Sequence, residues 1–328
     1  MPLNDLWIDR SNRRRNAAGA VLAAAALLAL PHPAAADPFA ILASVKGHVD
    51  VSGKSAGAQH ATFGRPLERG DQVIVGPGSS ATIYLSDGNV IEVGEKSTIT
   101  IGGKAVSKTA AGAELPGGVY SQVSKFVTSG SRATGLVAMS TMRGGEESSP
   151  IIEEPRKTDV MTDRPAFRWR AVQGATHYRV TVSGEAGDLW TREPSGTSLD
   201  YPANAAALAR DGDFIWKVQA FGEQGPLRDE SSVFHVIGTD AATVVQGDLH
   251  RIADSAGAST PAGHFLAGSY LSGLGLYGEA LRHFLELSRL SPDSPAPHEA
   301  LGNVYRTVGL MDLAAAEFQR ALELTRTL

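Results

Sequence analysis

Cysteine is absent from the 328-residue sequence. Its absence excludes a disulfide framework, a cysteine-bound zinc ion, a thiol nucleophile and a lipid anchor on cysteine. Basic residues do not outnumber acidic ones either. The net charge is −5, and since the first 36 residues hold four arginines and two aspartates, the rest of the chain carries −7. Nucleic acid is therefore not an expected partner, because phosphate binding requires a basic face.

Long apolar runs are also missing, and no stretch has the length of an ordinary membrane span. Hydrophobic residues nevertheless make up 42% of the chain, which is typical of globular proteins. At roughly 100–200 residues per domain, the length predicts two or three domains with sizeable cores. The predicted fold class is a multidomain chain in which β modules are followed by α-helices.

The N-terminal 36 residues have the composition of an export signal. Arg10 and the arginine run at 13–15 precede an apolar stretch at 17–30, and three alanines follow at 34–36. A helix of that length spans about 21 Å, short of the roughly 30 Å hydrocarbon core. The pattern predicts a signal peptide at 1–36, cleaved between Ala36 and Asp37. The mature chain would be periplasmic without a stable membrane span, and an uncleaved anchor is the alternative.

Residues 40–102 predict a small all-β domain with a strand every eight to twelve residues. Asp87-Gly88 separates two alternating runs, which is a strong hairpin signal. We interpret Gly70-Asp71 and Asp87-Gly88 as turns, because glycine tolerates positive φ and aspartate can bind its own backbone. Catalytic or metal-binding roles are not predicted for these aspartates.

The same region resembles a known module. The string RPLERGDQVIVGPGSSATIYLSDG at 65–88, and VKGHV at 45–49, resemble a FecR-type domain. The resemblance implies a periplasmic module that relays signals by protein contact. The best-known members span the inner membrane and control a sigma factor. Only sixteen residues precede the apolar segment of this sequence, too few for a cytoplasmic regulatory domain.

A short helix is predicted to complete this domain. The apolar residues Val119, Val123, Phe126 and Val127 recur at helical spacing and predict an amphipathic helix that covers a face or edge of the β-domain. The predicted FecR-like domain with its trailing helix therefore covers 40–142. The polar, turn-rich segment at 143–150 is predicted to be a linker.

Residues 151–238 predict a β-sandwich of six or seven short strands separated by glycines. The segments PAFRW at 165–169, ATHYRVTV at 175–182 and GDFIWKVQA at 212–220 resemble fibronectin type III or related immunoglobulin-like modules. This resemblance specifies a fold only. Aromatic side chains in alternating strands are usually core residues. Trp190 is left open as a core residue or a sugar-stacking platform, and the predicted core residues are Phe167, Trp169, Tyr178, Val180 and Trp216.

Residues 240–328 predict a helical domain in which two segments repeat with a period of 34 residues, at 261–294 and 295–328. Gly268 matches Gly302, and Phe284 matches Phe318. The period, with LGNVY at 301–305 and AAAEFQRAL at 314–322, resembles the tetratricopeptide repeat. Thr239-Asp240 predicts the N-cap of a further helix at 241–256 that packs on the repeats as a cap.

The repeat resemblance also yields a candidate partner-binding site. In this family the first helix of each unit lines a concave groove, which places Glu299, Asn303 and Arg306 there, facing water. Asparagine offers a donor and an acceptor to a peptide group, and arginine can bind a carboxylate with two nitrogens. A solvated polar helix face is the alternative. The matching positions of the first repeat hold a different set, Phe265, Ser269 and Ser272.

Two histidines, His264 and His298, also recur with the repeat. A metal pair is one interpretation, but zinc needs three or four convergent ligands. Equivalent positions in adjacent repeats face the same way, so repeat periodicity alone accounts for both residues. They are predicted to be structural.

No nucleophile elbow, His-Glu-x-x-His motif or phosphate loop occurs in the sequence, and no catalytic residue, cofactor or metal is predicted. The sequence predicts a non-enzymatic scaffold or sensor of the bacterial cell envelope. Its expected partner is an envelope protein or peptide, with a glycan as an alternative. Two other functions stay open. One is FecR-type signal relay to a transmembrane regulator, and the other is an unrecognised cell-wall hydrolase.

Overall fold

The computed structural model describes residues 38–53, 57–102, 115–130 and 149–326. The predicted signal peptide, its cleavage junction at Ala36 and Asp37, and residues 143–148 of the predicted linker lie outside the described residues. The described residues belong to one compact unit, Asp37–Leu328. Of the helices within these described ranges, none has both the length and the apolar composition needed to cross a bilayer.

The N-terminal β-domain (residues 38–102) consists of two four-stranded antiparallel sheets with strand orders β4-β1-β6-β7 and β3-β2-β5-β8. The predicted hairpin is β6–β7, where Gly88 has a φ of 91° and the N–H of Asn89 donates to Asp87 over 3.1 Å. Asp71 accepts from the N–H of Glu68 over 2.9 Å, so both aspartates serve turns, as predicted. The strands are β1 (Ala40–Lys46), β2 (Val49–Ser52), β3 (Gln59–His60), β4 (Pro66–Leu67), β5 (Gln72–Val75), β6 (Ser80–Leu85), β7 (Val90–Val93) and β8 (Ser97–Thr100).

One of these sheets is buried on both faces. Because side chains alternate along a strand, Leu42 and Ile83 point between the two sheets, where they are fully buried. Their strand neighbours Ile41 and Tyr84 are also fully buried, but in a second core that includes the C-terminal helices. The β-domain therefore shares a core with the helical part of the chain.

The predicted amphipathic helix is α1 (Gly117–Gly130). Its residues Val119, Val123 and Val127 are buried in the core shared with Tyr84. The helix covers the β-domain as predicted, but it also packs along α3 (Pro261–Leu274) of the repeats. It therefore lies between two parts of the chain and is not a cover for one of them alone.

The second β-unit is a sandwich of a five-stranded and a three-stranded sheet, with orders β10-β16-β15-β12-β13 and β14-β11-β9. The strand β10 pairs parallel to β16, and the other pairings are antiparallel. The strands are β9 (Ile152–Glu154), β10 (Thr158–Val160), β11 (Phe167–Trp169), β12 (His177–Gly184), β13 (Gly187–Arg192), β14 (Ser198–Leu199), β15 (Gly212–Gly222) and β16 (Gly225–Val236).

The predicted sandwich core is confirmed: each of its five residues is at most 3% exposed. The ring centroids of Phe167 and Trp216 lie 5.0 Å apart, and the indole N–H of Trp216 donates to the carbonyl of Pro155 over 2.6 Å. Trp190, which the sequence leaves open, is only 8% exposed and meets Phe167 edge to face. It is a core residue, and its ring is not a platform for a sugar.

The C-terminal part begins with α2 (Thr239–Ala256), followed by two helical hairpins, α3 with α4 (Tyr277–Leu290) and α5 (Pro295–Val308) with α6 (Met311–Thr325). The N-cap of α2 is Gly238, so the N-cap predicted at Thr239-Asp240 is wrong; Thr239 is already helical. As expected of a capping helix, α2 packs on α3, where the Tyr270 hydroxyl donates to buried Asp248 over 2.6 Å.

The repeat glycines have clear physical roles. A Cβ on Gly268 would lie 2.7 Å from the Phe284 ring, and one on Gly302 would lie 2.8 Å from the Phe318 ring. Glycine therefore lets each hairpin close around its aromatic residue. Gly275 and Gly309 end the first helix of each hairpin with φ values of 89° and 86°, in the left-handed region that glycine favours. The predicted fold class, β modules followed by tetratricopeptide-like hairpins, is confirmed.

The sandwich is fastened to the turns of both hairpins. At the first turn, the N–H of Asp159 donates to the carbonyl of Gly275 over 3.0 Å, and the N–H of Tyr277 donates to the Thr158 hydroxyl over 2.9 Å. At the second turn, the buried guanidinium of Arg156 donates to the carbonyl of Val308 over 2.9 Å. The sandwich therefore contacts both repeats through strands β9 and β10 and the residues between them.

Candidate functional site

The structure places the three predicted groove residues on α5 in different environments. Glu299 is exposed, Arg306 is half-buried, and Asn303 is only 9% exposed. The prediction that all three side chains face water is therefore wrong for Asn303. The concave side of the first repeat is covered by other parts of the chain, which the repeat pattern by itself does not reveal.

The cover over the first repeat is α1 together with the β-domain. Gly273 lies so close to α1 that an added Cβ would be 2.6 Å from the carbonyl oxygen of Gln122. The Phe265 ring lies beside Gly64 of the β-domain. Phe265, Ser269 and Ser272, the groove positions of the first repeat, are all buried. The groove of the first repeat is thus filled from within the chain.

Five buried polar atoms on α1, α3 and α5 share one property, and we call this set the polar seam. Each of its atoms is inaccessible to solvent and lacks a hydrogen-bond partner among the described residues. A buried polar atom without a partner costs about 1–3 kcal/mol, so native proteins usually satisfy such atoms with water or a ligand. The seam consists of Gln122 Oε1, Ser269 Oγ, Ser272 Oγ, Asn303 Oδ1 and Arg306 Nε.

Glu299 lies one helical turn before Asn303 on α5. Its side chain is exposed, yet the protein around it raises the pKa of its carboxyl above the ordinary value through desolvation.

Each recurring histidine contacts a residue on the second helix of its own hairpin. His264 Nδ1 lies 3.1 Å from His283 Nδ1, and His298 Nδ1 lies 2.7 Å from a carboxylate oxygen of Glu317. His283 and Glu317 are themselves 34 residues apart. The two repeats therefore make the contact at equivalent positions, but the partner is a histidine in the first repeat and a glutamate in the second. Burial, aided by the neighbouring His264 and Arg282, lowers the pKa of His283 to about 4.

Sequence reasoning missed one group of potential metal ligands. His48, Asp50 and His60 each offer one ligand atom, and these three atoms lie within 4.8 Å of one another. His48 directly precedes β2 and Asp50 is two residues further on, a spacing that brings both side chains to one side of the strand. His60 lies opposite Asp50 in the β2–β3 pairing, a register that the sequence pattern does not determine.

Comparisons with known proteins give no family assignment. No protein-family model matches the chain, so the FecR resemblance has no support from that comparison. No curated protein matches either. These two comparisons therefore supply no function to transfer to this chain.

Some solved structures resemble parts of the chain. A two-domain fibronectin type III segment of chicken tenascin has 11% identity over 57% of this chain and 81% of its own, with a TM-score of 0.19. A multi-domain immunophilin from Arabidopsis thaliana has 11% identity over 52% and 98%, with a TM-score of 0.22. Chicken CNTN1 FN1–FN3 domains have 12% identity over 58% and 56%, with a TM-score of 0.20. Because these TM-scores are low, the fold assignment rests on the strand orders and helix pairs described above.

Proposed function

We propose that this chain is a non-catalytic interaction protein of the bacterial cell envelope. In this proposal it acts in the periplasm, and its second helical repeat binds an extended peptide segment of an envelope protein. The observation that carries the proposal is the polar seam, in which the Asn303 and Arg306 atoms are buried without partners. Such atoms are expected where a ligand supplies the missing hydrogen bonds.

The chemistry of the seam defines the peptide. Asn303 Oδ1 is an unused acceptor, which suits a backbone N–H group. Arg306 Nε is an unused donor, which suits a backbone carbonyl or a terminal carboxylate. Glu299, one helical turn from Asn303 on α5, disfavours an acidic segment while its carboxyl is ionised. A neutral or basic segment that presents a carbonyl or carboxylate to Arg306 fits these three side chains best.

The compartment rests on the N-terminal signal pattern, which lies outside the described residues. Export with cleavage predicts a mature chain that starts at Asp37. Intact mass of the protein recovered from the periplasmic fraction measures this directly. A full-length product held in the membrane fraction would contradict the proposed compartment, but it would leave the seam chemistry intact.

The binding site is tested by photo-crosslinking in the periplasm from position 299, which is exposed. The expected result is capture of a defined envelope protein. In the same background, Asn303→Ala with Arg306→Ala is expected to reduce capture about tenfold or more, since hydrogen bonds to a charged group contribute about 1.5–3 kcal/mol. Arg320→Ala on α6, an exposed arginine of the other helix, is the matched control and should leave capture unchanged.

Stability measurements separate binding from folding. Asn303 Oδ1 has no hydrogen bond to lose among the described residues, so Asn303→Ala should not lower the free energy of unfolding through that atom. A double variant that folds as the wild type and still captures the same protein with equal recovery would refute the proposal. So would the failure of position 299 to capture any envelope protein.

A further inference from the structure

We propose that His48, Asp50 and His60 form a binding site for a divalent transition-metal cation of the zinc class on the N-terminal β-domain. His48 Nε2 lies 3.1 Å from Asp50 Oδ2, and His60 Nδ1 lies 3.8 Å from Asp50 Oδ1. Zinc bonds of about 2.0–2.2 Å to nitrogen and oxygen place tetrahedral ligands about 3.3 Å apart. These two distances bracket that value, and all three ligand atoms lie within 4.8 Å of one another, so side-chain rotations bring them onto one ion.

The backbone holds the three ligands in place before any ion binds. The carbonyl of His48 accepts from the N–H of Gly76 over 2.9 Å, and the N–H of His48 donates to the Ser79 hydroxyl over 2.8 Å. Asp50 is paired on both sides, with His60 of β3 and Ile74 of β5. The ligand positions are therefore fixed by sheet hydrogen bonds, so little backbone ordering is needed when the ion binds.

The donor set selects the metal. Two imidazoles and one carboxylate suit Zn²⁺, Cu²⁺ and Ni²⁺, whereas Mg²⁺ and Ca²⁺ prefer sets made of oxygen alone. Three protein ligands leave a fourth position for water or another small ligand. Among the described residues, this is the only group of at least three such side chains that converges on one point.

The exposure of the ligands indicates how tightly an ion is held. The side chain of His48 is 71% exposed, whereas those of His60 and Asp50 are 36% and 26% exposed. His60 also lines a cleft of about 660 Å³ between the β-domain and the start of α5. An ion here is reached readily from solvent. We therefore expect micromolar rather than tighter affinity, because ligands without second contacts to orient them bind metal about 10–100-fold more weakly.

The proposal is tested with the full chain purified without a histidine tag. Calorimetric titration with Zn²⁺ should show one site per chain, and Co²⁺ should give the visible absorption of a low-symmetry four- or five-coordinate ion. The variant His48→Gln with His60→Gln should weaken binding at least about tenfold and abolish the Co²⁺ band. Asp50→Asn should also weaken binding.

The matched control is His235→Gln. His235 lies beside two carboxylates, Asp211 and Asp213, but these three side chains do not converge as a group of metal ligands. This variant should bind Zn²⁺ and Co²⁺ as the wild type does. Thermal unfolding of each variant without metal confirms that it is folded. The absence of stoichiometric Zn²⁺ binding at millimolar metal, or equal binding by the wild type and the double histidine variant, would overturn the proposal.

Discussion

The contact between His264 and His283 makes the first repeat sensitive to acid. Burial lowers the pKa of both imidazoles, that of His283 to about 4. Glu286 partly opposes the shift at His264, whereas Arg289 and Arg282 reinforce the shifts at the two histidines. In the unfolded chain, histidine has a pKa near 6.5. The unfolded state therefore binds more protons below that pH, which favours unfolding.

We expect the free energy of unfolding to fall by roughly 1–2 kcal/mol between pH 7 and pH 5 from this pair. The variant His283→Glu reproduces the His298–Glu317 contact of the second repeat. It should flatten this dependence, because a carboxylate favours the protonated form of His264. Urea unfolding at several pH values measures the slope. His250→Gln, at an exposed position on α2, is the control, and equal slopes for the wild type and His283→Glu would contradict the interpretation.

Residue-level prediction succeeded where local patterns determine burial. Strand alternation identified Trp169 and Trp216 as core residues, and the repeat period identified His264 and His298 as equivalent. It failed at Asn303, whose predicted exposure is contradicted by its burial. A helical pattern reports which face of a helix is polar. It does not report what that face meets.

The close approach of α1 and α3 depends on a glycine. A Cβ at Gly273 would lie 2.6 Å from the backbone carbonyl oxygen of Gln122, and a backbone atom cannot rotate away as the end of a side chain can. We expect Gly273→Ala to push α1 away from the repeat and to lower the free energy of unfolding by about 1–3 kcal/mol. Urea unfolding measures the change.

The matched control is a second glycine within a helix. A Cβ at Gly247 of α2 would meet nothing within 4 Å. Gly247→Ala should therefore stabilise the chain by up to about 1 kcal/mol, because alanine has the higher helix propensity. Opposite signs for the two substitutions are the expected outcome. Stabilisation by Gly273→Ala would show that α1 does not pack on the repeat as described.

At the level of helices and strands, the sequence predicted correctly that α1 is present, but it predicted only part of its packing. The spacing of Val119, Val123 and Val127 predicts α1, and the predicted helix is present. Its close approach to α3 had no sequence signal, because it depends on Gly273 of α3 lying against the backbone of Gln122 of α1. Apolar periodicity cannot identify a contact made by residues of this kind.

The contact between the sandwich and the repeats makes the described chain one unit. Arg156 is 8% exposed and donates both to the Val308 carbonyl and, over 2.6 Å, to Glu230. Removal of the guanidinium leaves a half-buried carboxylate and a backbone carbonyl without this donor. We expect Arg156→Ala to lower the free energy of unfolding by about 3 kcal/mol and to separate the unfolding of the sandwich from that of the repeats. Differential scanning calorimetry detects both effects.

The same interface supplies the control. Arg282 bridges to Glu154 across it, but its side chain is 62% exposed. An exposed ion pair contributes about 1 kcal/mol or less, so Arg282→Ala should shift the transition slightly and leave it single. Equal effects of the two substitutions would mean that burial of Arg156 does not determine the coupling.

At the scale of the whole molecule, sequence composition predicted separate modules joined by a linker, and the domain boundaries at 143–150 and 238–240 remain predictions. The structure shows that the β-domain shares a core with the helical repeats and that the sandwich is hydrogen-bonded to the repeat turns. The residues responsible include Arg156, Thr158 and Asp159. Isolated polar residues of this kind have no periodicity, so a sequence pattern cannot identify their long-range partners.

The attachment of the sandwich to both repeat turns has a mechanical consequence. Stacked helical repeats are elastic, because small rotations between neighbours add up along the array. Here the turns at Gly275 and Val308 are held by one rigid β-unit, which restricts the rotation between the two hairpins. The curvature of the concave side is therefore set in advance by the sandwich, and the two hairpins are held at a fixed angle to each other.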